Sequence, residues 1–208
     1  MAPSREAGFT LYELMMTLLV AGILLGVGVP NLMEFQRNGA IVAAANEIVT
    51  GTLLARSEAI KRQEPVMFCL SDDPTATNPP CRPDAVQDSD AHGFVVFVDE
   101  DGDGNIDAGD QLLMQSAAPG GAIRLSANCG HVGYGPSGFT RAVGALCFPT
   151  VRTILLCDER GRRPTSGSLS AARAVRIDRP GRGQVLSEVT DVAASIGTGP
   201  LQANGTCP

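Results

Sequence analysis

The sequence predicts an α+β protein in which one long N-terminal α-helix is followed by an antiparallel, β-rich head. Three observations carry this. An apolar run from Phe9 to Pro30 continues as apolar residues spaced by three or four up to Gln63. Beyond Pro65 the chain changes to short β-like runs separated by Gly, Pro, Asn and Asp. No strand–helix alternation follows, which argues against a parallel α/β sheet.

The helix comes first. Residues 1–8 form a short polar leader with a single Arg. Residues 9–30 contain one charged side chain, Glu13. At 1.5 Å per residue this stretch makes a helix of roughly 33 Å, enough for a bilayer core of about 30 Å. A removable secretory signal would place its small residue after the apolar core, whereas Gly8 precedes it. A carboxylate within an apolar helix is costly and needs a partner. Residues 31–64 continue the helix, with Ile41, Ala45, Ile48, Thr52, Ala55 and Ala59 on one face. Val42, Val49, Leu53 and Ile60 are expected to widen that face. Gly22, Gly26, Gly28 and Pro30 weaken the middle, and Pro65 ends the helix at Gln63 or Glu64.

Residues 65–208 form the β-rich head. Expected strands are Val66–Leu70, Phe94–Val98, Gln111–Gln115, Ala122–Leu125, Gly138–Val143, Thr153–Cys157, Ala174–Ile177 and Gln184–Glu188. The Pro- and Asp-rich stretch Ser71–Ala91 reads as a mobile surface loop, and the chain after Val192 as a small, polar tail. Trp is absent, so aliphatic residues and Ala must fill the core. All six cysteines (Cys69, Cys81, Cys129, Cys147, Cys157 and Cys207) follow the apolar segment. An even number in an exported domain points to disulfides and an oxidising compartment. Proximity favours Cys69–Cys81 and Cys129–Cys147, leaving Cys157 for Cys207. There is no C-x-x-C pair, and His92 and His131 stand apart, so zinc is not expected.

The formal net charge of −6 argues against bulk nucleic-acid affinity, but the charge is uneven. Eleven carboxylates lie between Asp72 and Asp110, against Arg82 alone. Seven Arg lie between Arg160 and Arg182, against Asp178 alone. Within the acidic stretch, Asp99, Asp101, Asp103, Asn105, Asp107 and Asp110 have the spacing of a calcium loop, with Gly104 at its sharp turn. The plainer reading is a solvated turn in which Asp, Asn and Gly serve the backbone. Enzymatic activity is not expected. Gly135-Pro136-Ser137-Gly138 is not a nucleophile elbow, and no phosphate-binding Gly loop is present.

Gly8-Phe9-Thr10-Leu11 with Glu13-Leu14 and Pro30 resembles the prepilin N-terminus of type IV pilins and type II secretion pseudopilins. The resemblance implies that a prepilin peptidase cuts after Gly8 and methylates Phe9. It also implies that Glu13 pairs with the Phe9 ammonium of a neighbouring subunit during assembly. Gly93–Asp99 followed by Gly104, Asp107, Gly109-Asp110 and Leu112-Leu113 is similar to the central hairpin of the GspH/FimT family of minor pilins and pseudopilins. Leu156–Gly161 is similar to a later strand end of that family.

That family implies a pilin-like fold, other pilins or pseudopilins as partners, and a single-pass anchor in the bacterial inner membrane. The head would face the periplasm, at the tip of a pilus or pseudopilus after assembly. The function implied is that of a minor pilin in a type IV pilus priming or tip complex. The alternative is minor pseudopilin H of the type II secretion system. An anchored calcium- or ligand-binding module is a third reading, from another class. Some FimT-type minor pilins bind DNA through a C-terminal Gly-Arg-x-Arg motif. The matching place is Gly181-Arg182-Gly183-Gln184, where Gln184 replaces the second Arg and Arg176 and Arg179 stand nearby.

Overall fold

The computed structural model describes residues 8–82, 93–117, 123–142, 152–165 and 167–196. Its first element, α1 (Leu11–Arg62), is a single helix. The chain divides into two compact units, one ending at Gly39 and one beginning at Ala40.

In the first unit the large apolar side chains are exposed: Leu18 keeps 65% of its surface and Ile23 61%. Among the described residues, α1 is the helix long and apolar enough to cross a membrane, by length and composition. Pro30 sits inside it without ending it.

In the second unit α1 buries Ile41, Ala44, Ala45, Ile48, Gly51, Thr52, Ala55 and Ala59. All six residues expected on this face are among them. The expected widening fails: Val42, Leu53 and Ile60 are exposed, and of those four only Val49 packs against the core. The buried stripe is narrower because its small residues let the helix come close to the sheets. A Cβ on Gly51 would lie 2.5 Å from the Phe94 ring. The helix stops one residue before the expected boundary. Gln63 takes a left-handed conformation (φ 61°), and its N–H donates to the Ala59 carbonyl at 3.0 Å, forming a C-terminal cap.

Among the described residues nine strands form two antiparallel sheets. The first has the order β3 (Gln111–Ala117), β2 (Gly93–Val98), β1 (Val66–Ser71), β5 (His131–Tyr134), β6 (Thr140–Arg141). The second has the order β4 (Arg124–Ala127), β7 (Arg152–Cys157), β8 (Leu169–Ile177), β9 (Gly183–Glu188). Alternation along the strands divides their side chains between two faces. Val66, Phe68, Leu70, Phe94, Val96, Val98, Ile154, Leu156, Val175 and Ile177 join the α1 stripe in one core. The Phe68 and Phe94 rings stack there at 4.8 Å.

The opposite faces are covered as well, which explains strands that are apolar throughout. Met67, Cys69, Val95 and Phe97 lie under Cys81 and Ile106. Leu155, Cys157, Ala172 and Ala174 lie under Val192 of a second helix, α2 (Val189–Ile196), with Leu186 beside them.

Four expectations need correction. His131–Tyr134, not among the expected strands, is a strand held by pairing with β1 and β6, and its Gly133 hides the β pattern in the sequence. β4 lies two residues later than expected. β8 begins at Leu169, since its small residues Ser170–Ala172 mask its length. The tail reading fails at its start, where Val189–Ile196 is helical and Val192 is buried.

The Cys69–Cys81 disulfide is present, with its Cα atoms 5.6 Å apart. It ties down the first part of the acidic loop, where the Arg82 N–H also donates to the Leu70 carbonyl at 3.0 Å. Cys129 and Cys157 are disulfide-bonded too. Cys147, Cys207 and the remainder of the loop lie outside the described residues.

Candidate functional sites

Three places bear on function, the first at the start of α1. The Glu13 Oε2 accepts hydrogens from the Thr10 backbone N–H at 3.1 Å and the Thr10 hydroxyl at 3.0 Å. The Thr10 Oγ1 in turn accepts the Glu13 N–H at 3.2 Å. This is a reciprocal capping box, which satisfies amides that would otherwise be orphaned at a helix start. The Thr-x-x-Glu spacing of Thr10 and Glu13 is the sequence signal for this cap. Phe9 and Gly8 are exposed beside it, and residues 1–7 of the leader lie outside the described residues.

The second is the turn joining β2 to β3. Asp99 follows β2, and its N–H donates to the Pro65 carbonyl at 3.0 Å, fixing the loop to the start of β1. Its carboxylate is fully buried (0% exposed). Oδ1 accepts the Gly104 N–H at 3.2 Å, while Oδ2 is buried without a hydrogen-bond partner. Desolvation raises the Asp99 pKa above the usual carboxylate value. The Gly104 amide and Arg141 oppose this, and Asp110 and Asp101 add to it. The Asp101 Oδ1 accepts the Asp103 N–H at 3.1 Å, and the Asp103 Oδ1 accepts the Asn105 N–H at 2.7 Å. The Asn105 side-chain amide also donates to Asp103 Oδ2 at 3.1 Å, and the two bonds from Asn105 lower the Asp103 pKa.

One carboxylate oxygen each from Asp99, Asp101 and Asp103 lies within 4.8 Å of the others. Asp107 and Asp110, expected as further ligands, are not gathered with them. The Asp110 oxygens accept the N–H groups of Glu100 and Asp107, at 3.1 and 3.0 Å, and so clamp the two ends of the loop. The Asp107 Oδ1 accepts the Gly109 N–H at 3.2 Å.

The third is the arginine group, which the fold splits. Arg173 is buried and donates to the carbonyls of Ser170 and Ala172. Arg160 pairs with Asp158 at 2.6 Å. Arg162 and Arg163 are exposed before β8, whereas Arg179 and Arg182 are exposed after it. Arg163 lies beside Ala171 of β8, whose N–H donates to its carbonyl at 2.9 Å, whereas Arg179 and Arg182 lie past Ile177, roughly 20 Å along the strand. Arg176 is half-buried, with its Nε 3.3 Å from Asp178 Oδ1.

The turn carrying Arg179 and Arg182 is held firmly. The Arg179 carbonyl accepts the Thr140 N–H at 3.1 Å. Gly181 has φ +78°, and a Cβ there would meet the Gly138 carbonyl and the Tyr134 ring at 2.8 Å. Only glycine fits this corner without displacement.

Residues 44–181 match the family described as Type II transport protein GspH. Two crystal structures of the type IV minor pilin FimU of Pseudomonas aeruginosa are similar to this chain at 20% identity. One covers 73% of this chain and 92% of its own, with a TM-score of 0.49. The other covers 69% and 90%, with a TM-score of 0.45. Among curated proteins no match is found.

Proposed function

The chain belongs to the GspH family of pilin-like proteins, and from that premise we propose that it is a minor pilin assembled through its N-terminal helix into a type IV pilus. Membership makes it a minor pilin or pseudopilin, with a structural role and with other pilins or pseudopilins as associates. The finer reading places it in a priming or tip complex. A prepilin peptidase removes residues 1–8 and methylates Phe9, and the head faces the periplasm.

The observation that supports this reading best is the first half of α1. It presents large aliphatic side chains that no other described residue covers, with one acid, Glu13, at its start. Bare apolar surface of this extent needs lipid or neighbouring helices. Mass spectrometry of the native protein tests the reading: the mass expected begins at a methylated Phe9. An intact Met1 with an unmodified N-terminus excludes pilin processing.

The description of the matching family favours a second reading, minor pseudopilin H of a type II secretion system. A deletion strain separates the two. Loss of twitching or transformation with normal exoprotein secretion supports the pilus, and the reverse supports secretion.

DNA uptake belongs to the pilus reading. Its support is the exposed pair Arg179 and Arg182 on a turn pinned by β6, with Arg176 beside them. Arg forks suit phosphate oxygens. Asp178 opposes them by holding Arg176, and Gln184 adds no charge. Arg182→Ala should weaken DNA binding, and binding should fall steeply with salt. An affinity unmoved by either change removes this role.

A further inference from the structure

We propose that the turn between β2 and β3 is a calcium site whose ligands are the carboxylates of Asp99, Asp101 and Asp103. The three oxygens lie within 4.8 Å of one another. Three oxygens that close lie no more than about 2.8 Å from a common centre, a small inward adjustment from the roughly 2.3–2.6 Å at which calcium binds oxygen. A second, independent observation points to a missing ligand. Asp99 is wholly buried, yet its Oδ2 has no hydrogen-bond partner. A buried carboxylate oxygen without a donor is costly, and a hard cation is a partner that removes the cost.

Arg141 is the nearby positive charge. A Cβ on Gly102 would lie 3.2 Å from its guanidinium, and it attracts Asp99. One guanidinium against three converging carboxylates leaves the turn net negative. The donor set is hard oxygen throughout, which suits calcium and excludes the soft metals. Backbone carbonyls and water complete the six to eight ligands calcium takes. Asp107 and Asp110 are not gathered with these three oxygens: Asp110 clamps the two ends of the loop and Asp107 accepts the Gly109 N–H.

The consequence for the fold is local. Ile106, in the same loop, covers Met67, Cys69, Val95 and Phe97 on the outer face of the first sheet. An ion holding Asp99, Asp101 and Asp103 together fixes the loop that carries this cover. The site therefore acts as a brace for the β2–β3 hairpin, whichever filament the chain joins.

The test uses the full chain in detergent, stripped with a chelator and titrated with calcium chloride in a calorimeter. One site is expected, with a rise in thermal midpoint of roughly 5 °C at saturation. Asp101→Asn and Asp103→Asn should each weaken binding at least tenfold. Both side chains are exposed, so the fold is not at risk. Asp99→Asn should abolish binding. Absence of heat and of any midpoint shift at about 10 mM calcium, above the weakest extracellular modules, overturns the site. Binding undiminished in Asp103→Asn overturns it as well, since the ion is then held elsewhere. Equal heat from magnesium overturns the choice of calcium.

Discussion

The two halves of α1 have opposite compositions and opposite fates. Up to Gly39 the helix carries Leu, Met, Ile and Val, and these stay exposed. From Ala40 it buries mainly Ala, Gly and Thr, with Ile41 and Ile48 as the large exceptions. Hydrophobicity alone therefore does not say what a helix face packs against within its own chain. Small residues mark a surface that sheets approach closely. Large ones left exposed, with small residues such as Gly22 and Gly26 between them, mark a surface whose partners come from outside. The glycines repeat the contrast. A Cβ on Gly51 would collide with Phe94 and Phe68, whereas one on Gly22, Gly26 or Gly28 would meet nothing within 4 Å.

The largest expected effect breaks this comparison at its strongest point. Ile48→Ala opens a hole in the core and should cost about 2–5 kcal/mol. In a chain of this size that lowers the thermal midpoint by roughly 5–15 °C, read by circular dichroism in detergent. Leu18→Ala, the same truncation in the exposed half, should leave the midpoint within about 1 °C. Equal losses at both positions would mean that the two halves do not differ.

Glycine substitution sharpens the same point at smaller amplitude. Gly51→Ala should destabilise by about 1–3 kcal/mol, because the rings of Phe94 and Phe68 must shift. Gly26→Ala should instead stabilise its helix by up to about 1 kcal/mol through propensity alone. Opposite signs from one chemical change are the result to look for, in thermal unfolding for Gly51 and in amide exchange along the first half of α1 for Gly26.

The sequence made the second half of α1 legible because buried residues recur every three or four positions, and all six that were named are buried. It failed at the edges of that face, since Val42, Leu53 and Ile60 look as apolar as their buried neighbours. Only the sheets decide which side is covered. The antiparallel arrangement followed from turn residues, but β5 and α2 did not. Each is short, and each is stabilised by what lies beside it: β1 and β6 for the strand, β7 to β9 for the helix. At the acidic turn the spacing grouped Asp99, Asp101, Asp103, Asn105, Asp107 and Asp110, whereas the fold brings together carboxylate oxygens of Asp99, Asp101 and Asp103. Sequence spacing does not reveal that Asp107 and Asp110 already accept backbone hydrogens.

The capping box gives a finer test in the first half. Thr10→Ala should cost about 1 kcal/mol at the start of α1, seen as faster amide exchange over Tyr12–Met15 with no change in the midpoint. Glu13→Gln keeps an acceptor at the capping position and removes the charge. It should preserve the exchange pattern, because Gln also closes a capping box. If Glu13 pairs with a neighbour's ammonium, the same variant loses assembly. Exchange and assembly failing together would make the cap the whole role of Glu13.

The smallest effect contrasts two carboxylates, one in each unit. Glu13 is exposed and its Oε2 accepts two hydrogens, whereas Asp99 is buried with one oxygen unmet. Burial raises the pKa of Asp99 in the folded chain above the value near 3.9 of an unfolded one. The folded state then holds the proton to higher pH than the unfolded state does. Stability without calcium must therefore fall as pH rises from about 4 through the raised folded value, and level off above it. Asp99→Asn should flatten that part of the profile and, in chelator at neutral pH, unfold at a slightly higher temperature than the parent. Calcium inverts the order, because it stabilises only the ionised parent carboxylate. Parallel profiles of the parent and Asp99→Asn in chelator over this window would mean that the Asp99 carboxylate already has a partner that offsets its burial.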